Sequence, residues 1–187
     1  MSANGKRRSQ RRTAPPSTRR AWGWHPLQPE WAERVVDAAG VDDRTVVELG
    51  AGTGALTAPL VRRGARVIAV ELNAQRVAKL RERFAKSDVT VVRADLAALR
   101  WPRRPFQVVA SPPYNLTTEL VRRMLSLPQL HAADLVLQQQ AAARLVDRPP
   151  SGKHAHAYAL DIGMAVPRKA FNPPPKVDSV VLRIRRR

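Results

Sequence analysis

The segment Val46-Val-Glu-Leu-Gly-Ala-Gly-Thr-Gly54 constrains this chain more than any other. β-Branched Val46 and Val47 read as the end of a buried strand. Glu48 follows, then glycines at every second position, Gly50, Gly52 and Gly54. Gly50 and Gly52 permit a tight turn and leave no Cβ between backbone and ligand. Leu56, Leu60 and Val61 then recur at helical spacing, which predicts a helix over 54–63. Strand, glycine turn and helix together suit a nucleoside-carrying ligand at the carboxyl end of a parallel strand. The spacing, E-x-G-x-G-x-G, is not the dinucleotide fingerprint G-x-G-x-x-G.

Three further strand ends extend this reading. Arg66 to Val70 is an apolar strand ending in Glu71-Leu72. An acid at the second strand tip, about 20 residues past the glycines, suits a ribose diol, because one carboxylate accepts from two hydroxyls. The alternative for Glu71 is an acid in a first helical turn. Leu72 would lie against an adenine face. Val89 to Arg93 delivers Ala94-Asp95-Leu96, where Asp95 can accept from the exocyclic amine of an adenine. The alternative for Asp95 is a turn cap.

Phe106 to Ala110 ends in Ser111-Pro112-Pro113-Tyr114. Two prolines fix φ and remove two N–H donors, so the Pro112 carbonyl is held rigid. Ser111 adds a small polar side chain and Tyr114 an aromatic plane. Such a set can hold an amino group on a flat ring. The lone pair of a nucleobase amine is delocalised and attacks poorly. Accepting both N–H hydrogens at fixed points favours a pyramidal nitrogen, so positioning and electrostatics supply most of the catalysis. No strong general base is required.

Elsewhere, strands are predicted at 45–49, 133–137, 158–166 and 179–185, and helices at 30–39, 74–85, 116–125 and 138–146. The alternation is that of an α/β parallel sheet. The last two strands are joined by a Pro-rich link, which predicts an antiparallel pair at the sheet end.

The 187 residues carry 33 basic and 15 acidic side chains, a formal net charge of +18, which implies a polyanionic partner. Residues 1–20 lack periodicity and acids but hold Lys6, Arg7, Arg8, Arg11, Arg12, Arg19 and Arg20. They read as a disordered arm tracking phosphates. Trp22 and Trp24 either stack on bases or pack on the domain. The chain has no cysteine, and its four histidines lack clustered carboxylates, so no metal is expected. No apolar run reaches the roughly 20 residues that cross a bilayer, and no secretory signal is present. A cytoplasmic monomer without a membrane partner is expected.

The glycine spacing resembles that of S-adenosylmethionine-dependent methyltransferases. With Ser111–Tyr114 it resembles enzymes acting on adenine N6. The segment Val166-Pro-Arg-Lys-Ala-Phe171-Asn-Pro-Pro-Pro-Lys-Val177-Asp-Ser179 is similar to the F-x-P-x-P-x-V-x-S segment of the rRNA adenine dimethyltransferases, the KsgA and Erm family. The Arg-rich start and the Trp22-Gly-Trp-His25 opening look most like the actinobacterial Erm branch.

That resemblance implies a Rossmann-like class I methyltransferase domain over 21–187. The sheet would have seven strands, mostly parallel with an antiparallel last strand, and helices on both faces. It implies S-adenosylmethionine as donor and, as substrate, N6 of an adenine in the peptidyl-transferase region of 23S rRNA. The consequence would be resistance to macrolides, lincosamides and streptogramin B. Gly50 and Gly52 would contact the methionine part, Glu71 the ribose and Asp95 the adenine, with Leu72, Leu96 and Ser111 as neighbours. His25 and Leu27 would border the cofactor, in place of the family's usual Gln-Asn-Phe-Leu; a surface or stacking role is the alternative for His25. Ser111, Pro112 and Tyr114 would hold the target base, with Phe171 stacked on its other face. Ser111 stands where the family usually has Asn. The family's usual C-terminal helical domain is expected to be absent. Competing readings are a DNA adenine methyltransferase, a protein glutamine methyltransferase and a non-catalytic ribosome-assembly factor.

Overall fold

The computed structural model describes residues 25–41, 44–113 and 116–187. The arm over 1–20, Trp22, Trp24 and Tyr114 lie outside the described residues. The chain runs α1 (Pro29–Ala39), β1 (Thr45–Leu49), α2 (Thr57–Arg62), β2 (Arg66–Glu71), α3 (Ala74–Arg83) and β3 (Val89–Arg93). It continues with β4 (Phe106–Ala110), α4 (Thr117–Met124), β5 (Leu130–Gln138), α5 (Gln139–Asp147), β6 (Tyr158–Val166) and β7 (Ser179–Arg186).

All seven strands form one sheet in the order β3-β2-β1-β4-β5-β7-β6. β1 to β5 are mutually parallel. β7 inserts between β5 and β6 and runs antiparallel to both. After β3 the chain crosses back to place β4 beside β1, so the strand order reverses between β1 and β4. Open α/β sheets bind ligands in the crevice such a reversal leaves at the carboxyl ends.

Alternation along the strands builds two cores. Val46 of β1 and Val67 and Ala69 of β2 face one core, with Val35, Val36, Leu60 and Leu80 from α1 to α3. Val47, Leu49 and Val70 face the other, with Leu120, Val121 and Leu145 from α4 and α5. This two-sided burial makes β4 and β5 apolar runs instead of alternating ones.

Several bounds differ from the sequence reading. α2 begins at Thr57, since Gly50, Gly52 and Gly54 all take positive φ and cannot open a helix. β5 begins three residues early, at Leu130, because Leu130 and Ala132 pair with Phe106 and Gln107. α3 stops at Arg83 and α5 extends to Asp147.

Candidate active site

The carboxyl ends of β1, β2, β3 and β4 open into one cavity of about 400 Å³, within the roughly 300–1,000 Å³ usual for small-molecule sites. Gly50 and Ala51 donate their N–H groups to the Val70 carbonyl at 2.8 and 3.0 Å, tying the β1 turn to β2. Gly50 (φ 72°) and Gly52 (φ 60°) are left-handed, a conformation open to glycine. A Cβ on Gly50 would lie 3.7 Å from Pro113 Cδ, so the two loops of the crevice pass close together.

Glu71 is 6% exposed and fastens the cavity wall. Its Oε2 accepts from Gly52 N at 2.8 Å and its Oε1 from Asn73 N at 2.9 Å. Arg76 stands 3.9 Å from Oε1. A carboxylate held by two backbone donors cannot rotate, yet each oxygen keeps a lone pair for a hydroxyl. Asn73 caps α3, its Oδ1 accepting from Gln75 N and Arg76 N. Leu72 lines the cavity and is 39% exposed, a large apolar surface at a point where a flat ring can cover it. Asp95 lines it too, and its Oδ1 accepts from Ala97 N at 2.9 Å. The capping role weighed for Asp95 is therefore real and engages one oxygen.

Glu48 has a part that sequence reading did not assign. It lines the cavity at 2% exposure, and Thr57 Oγ1 donates to its Oε2 at 2.5 Å. Burial raises its pKa to about 8, against the lowering effect of Thr57; nearby Glu71 adds slightly to the rise. The signal in the sequence was its place at the strand tip, but only the packing of α2 reveals its burial.

His25 and Leu27 reach the cavity from the start of the described chain. The segment 169–173 holds them there. Gln28 N donates to Ala170 O at 2.8 Å, Asn172 N to Pro26 O at 3.0 Å, and His25 Nδ1 lies 2.9 Å from Pro173 O. Leu27 and Phe171 form an isolated antiparallel bridge.

The cavity thus gathers His25, Leu27, Gly50, Gly52, Glu71, Leu72, Asp95, Leu96, Ser111 and Pro112. Phe171 is not on its wall. That ring is 2% exposed and belongs to the buried core that also holds Leu27, Trp31, Val136 and Val181. A stacking residue needs a free ring face, and burial removes it here. The Phe171 backbone is bridged to that of Leu27, which lines the cavity. Among the described residues no cluster of three or more potential metal ligands occurs, and no helix is long and apolar enough to cross a membrane.

The model of the ribosomal RNA adenine dimethylase family matches residues 27–187. The chain belongs to that family. Its members are S-adenosylmethionine-dependent methyltransferases. The chain is 33% identical over 156 residues to an rRNA adenine N-6-methyltransferase of Corynebacterium diphtheriae, covering 81% of this chain and 62% of that one. It is 36% identical over 165 residues to ribosomal RNA small subunit methyltransferase A of Acidobacterium capsulatum, covering 80% and 58%. The crystal structure of the 23S rRNA methyltransferase ErmE superposes with a TM-score of 0.77 at 30% identity, covering 87% of this chain and 70% of that one. The chain spans 49–62% of the length of the first curated relatives it matches. The fold is the Rossmann-like class I methyltransferase fold, seven strands with the last one antiparallel.

Proposed function

We propose that this chain transfers the methyl group of S-adenosylmethionine to N6 of an adenine in ribosomal RNA. The convergence of four strand ends on one cavity, with fixed Glu71 opposite the Ser111-Pro112 ledge, carries this reading. S-adenosylmethionine, when bound, supplies a methyl activated by a sulfonium. The residues present fit it. Left-handed Gly50 and Gly52 open the backbone to the methionine part, and Glu71 offers two anchored oxygens to a ribose diol. Leu72 and Leu96 supply apolar cover for the adenine ring, and Asp95 an acceptor for its amine.

The target adenine would enter beside Ser111 and Pro112. Two acceptors on its amine, the Ser111 side chain and the Pro112 carbonyl, withdraw the nitrogen lone pair from the ring and turn it toward the methyl. Tyr114 would offer a ring face to the base. Ser reaches less far than the Asn usual at this position, so one acceptor of the pair is weaker. The base must leave its helix to reach such a crevice.

Our choice of target is an adenine in the peptidyl-transferase region of 23S rRNA, modified in the cytoplasm. The likeness to ErmE and the Arg-rich start support it. The physiological effect would be resistance to macrolides, lincosamides and streptogramin B. A second reading, methylation of small-subunit rRNA, is supported by the comparable identity to the Acidobacterium capsulatum protein. Primer extension on 23S and 16S rRNA, from cells with and without the protein, separates them. A new stop in the peptidyl-transferase loop supports our choice, and one in 16S rRNA transfers it to the second reading. Stops in neither, with no methyl incorporated into purified rRNA, would discard both.

A further inference from the structure

The amino-terminal edge of the sheet, opposite the cavity, carries a second concentration of positive charge. The loop between α4 and β5 is its hub. Gln129 ties it to the loop before β4, since Gln129 Nε2 donates to Pro102 O at 2.9 Å and Phe106 N to Gln129 O at 3.2 Å. That second loop presents Arg103 and Arg104, both exposed. Arg186 Nη1 donates to Pro128 O at 2.6 Å. Lys153 is exposed and held against the same hub, its N–H donating to Ser126 Oγ at 3.2 Å. Arg44, before β1, and Arg186 stand close enough to His131 to help hold its pKa below the ordinary value, after the larger effect of partial burial.

Asp134 of β5 and Asp88 before β3 are already engaged. Asp134 is 1% exposed and paired with Arg185 at 2.8 Å, and Asp88 is paired with Arg66 at 3.1 Å. Asp42 and Asp43 precede Arg44 in the chain and lie outside the described residues; the edge stays positive when both are counted. Arg103, Arg104 and Lys153 have no carboxylate partner among the described residues. Clustered arginines without counter-charges attract phosphates, and guanidinium groups bind them bidentately.

A five-residue strand separates the two edges, about 15 Å at ~3.3 Å per residue. The two edges lie at opposite ends of the strands and face opposite ways, so a straight hairpin seated at the cavity mouth does not also lie along the far edge. We infer that the Arg44, Arg103, Arg104, Lys153 and Arg186 edge is a second RNA-docking surface, engaging a separate segment of a folded RNA. This rests on the RNA substrate proposed above but not on which adenine is modified.

The test compares the full chain with a variant carrying Arg103→Glu, Arg104→Glu and Lys153→Glu. The control carries Lys79→Glu, Arg81→Glu and Arg144→Glu, equal in charge but on exposed helix positions. Two RNAs are used: a hairpin of about ten base pairs, and a folded rRNA domain that contains it. On the domain, the edge variant should lose at least tenfold in affinity at ~0.15 M salt. Its log–log salt slope should fall by about 2, at ~0.7–0.9 per phosphate contact. The control should keep most of its affinity. Hairpin methylation should be the same for both. Equal losses in edge variant and control would overturn the inference, because general charge then explains them. Unchanged domain affinity, with lost binding to vesicles of anionic lipid, would overturn it in favour of a membrane surface. Failure of the native chain to methylate either RNA would instead count against the proposed function.

Discussion

Glu71 joins two loops at once, and its replacement should be costly in two ways. Removing the carboxylate orphans the N–H groups of Gly52 and Asn73, and a buried donor left unsatisfied costs about 1–3 kcal/mol. Glu71→Ala should therefore lower the melting temperature by several degrees and weaken S-adenosylmethionine binding by at least tenfold. Calorimetric titration and thermal unfolding read both; normal binding would remove Glu71 from the ligand site. Glu48 gives a pH signature. Its folded pKa of about 8 lies above the unfolded value near 4.5, so the folded state holds the proton more tightly. The resulting stability is complete below about pH 4.5 and is lost as pH rises through 8. Glu48→Gln cannot ionise, and its amide oxygen can still accept from Thr57. The variant should match the native protein near pH 5 and surpass it near pH 9, by a few kcal/mol on the order of the linkage. A stability difference independent of pH would refute the buried, proton-binding state. Glu71 and Asp95 were legible as ligand candidates because each sits where an apolar run stops. The burial of Glu48 was not, since it depends on Thr57 and α2 folding over the strand tip.

At the scale of elements, the strands were legible because each is an apolar run bounded by charged or turn residues. Their spatial order was less so. The Pro-rich link predicted the antiparallel pairing of β6 and β7, but nothing local says that β7 lies inside β6. Burial explains it: β7 is nearly all apolar up to Leu182, whereas β6 exposes Asp161 and Ile162 and suits an edge. Phe171 in that link was read as stacking on the target base, yet it is buried in the core and bridged to Leu27 through the backbone. Phe171 therefore separates packing from stacking. Truncating a buried Phe costs about 3–5 kcal/mol, so Phe171→Ala should destabilise by that amount and loosen the 25–28 segment, raising KM for S-adenosylmethionine. Phe171→Leu should recover most of the stability. If its kcat on RNA recovers as well, the ring serves as packing. If kcat stays at the level of Phe171→Ala while stability returns, the ring meets the base during turnover, and 169–173 must move to expose it.

At the scale of the molecule, charge and cavity are separable. Among the described residues the cavity is lined from His25 onward, and Lys6, Arg7, Arg8, Arg11, Arg12, Arg19 and Arg20 all precede that point in the chain. Arg and Lys runs at an end are legible in any sequence. The far-edge patch was not, because it is assembled from loops near residues 44, 103, 153 and 186 that only the sheet brings together. The two basic regions make different demands on RNA. Seven basic residues without an acid among them, over residues 1–20, attract phosphates through charge alone, so they should add affinity without regard to RNA shape. Removing residues 1–20 should lower affinity for hairpin and folded domain by similar factors. The salt slope should decrease by up to about 5, at ~0.7 per charge for seven charges. S-adenosylmethionine affinity and the melting temperature should not change. The far-edge substitutions should spare the hairpin, so the ratio of domain to hairpin affinity distinguishes the two regions. A truncated chain that loses S-adenosylmethionine binding would show instead that the arm completes the cavity, and the separation of charge from cavity would fail.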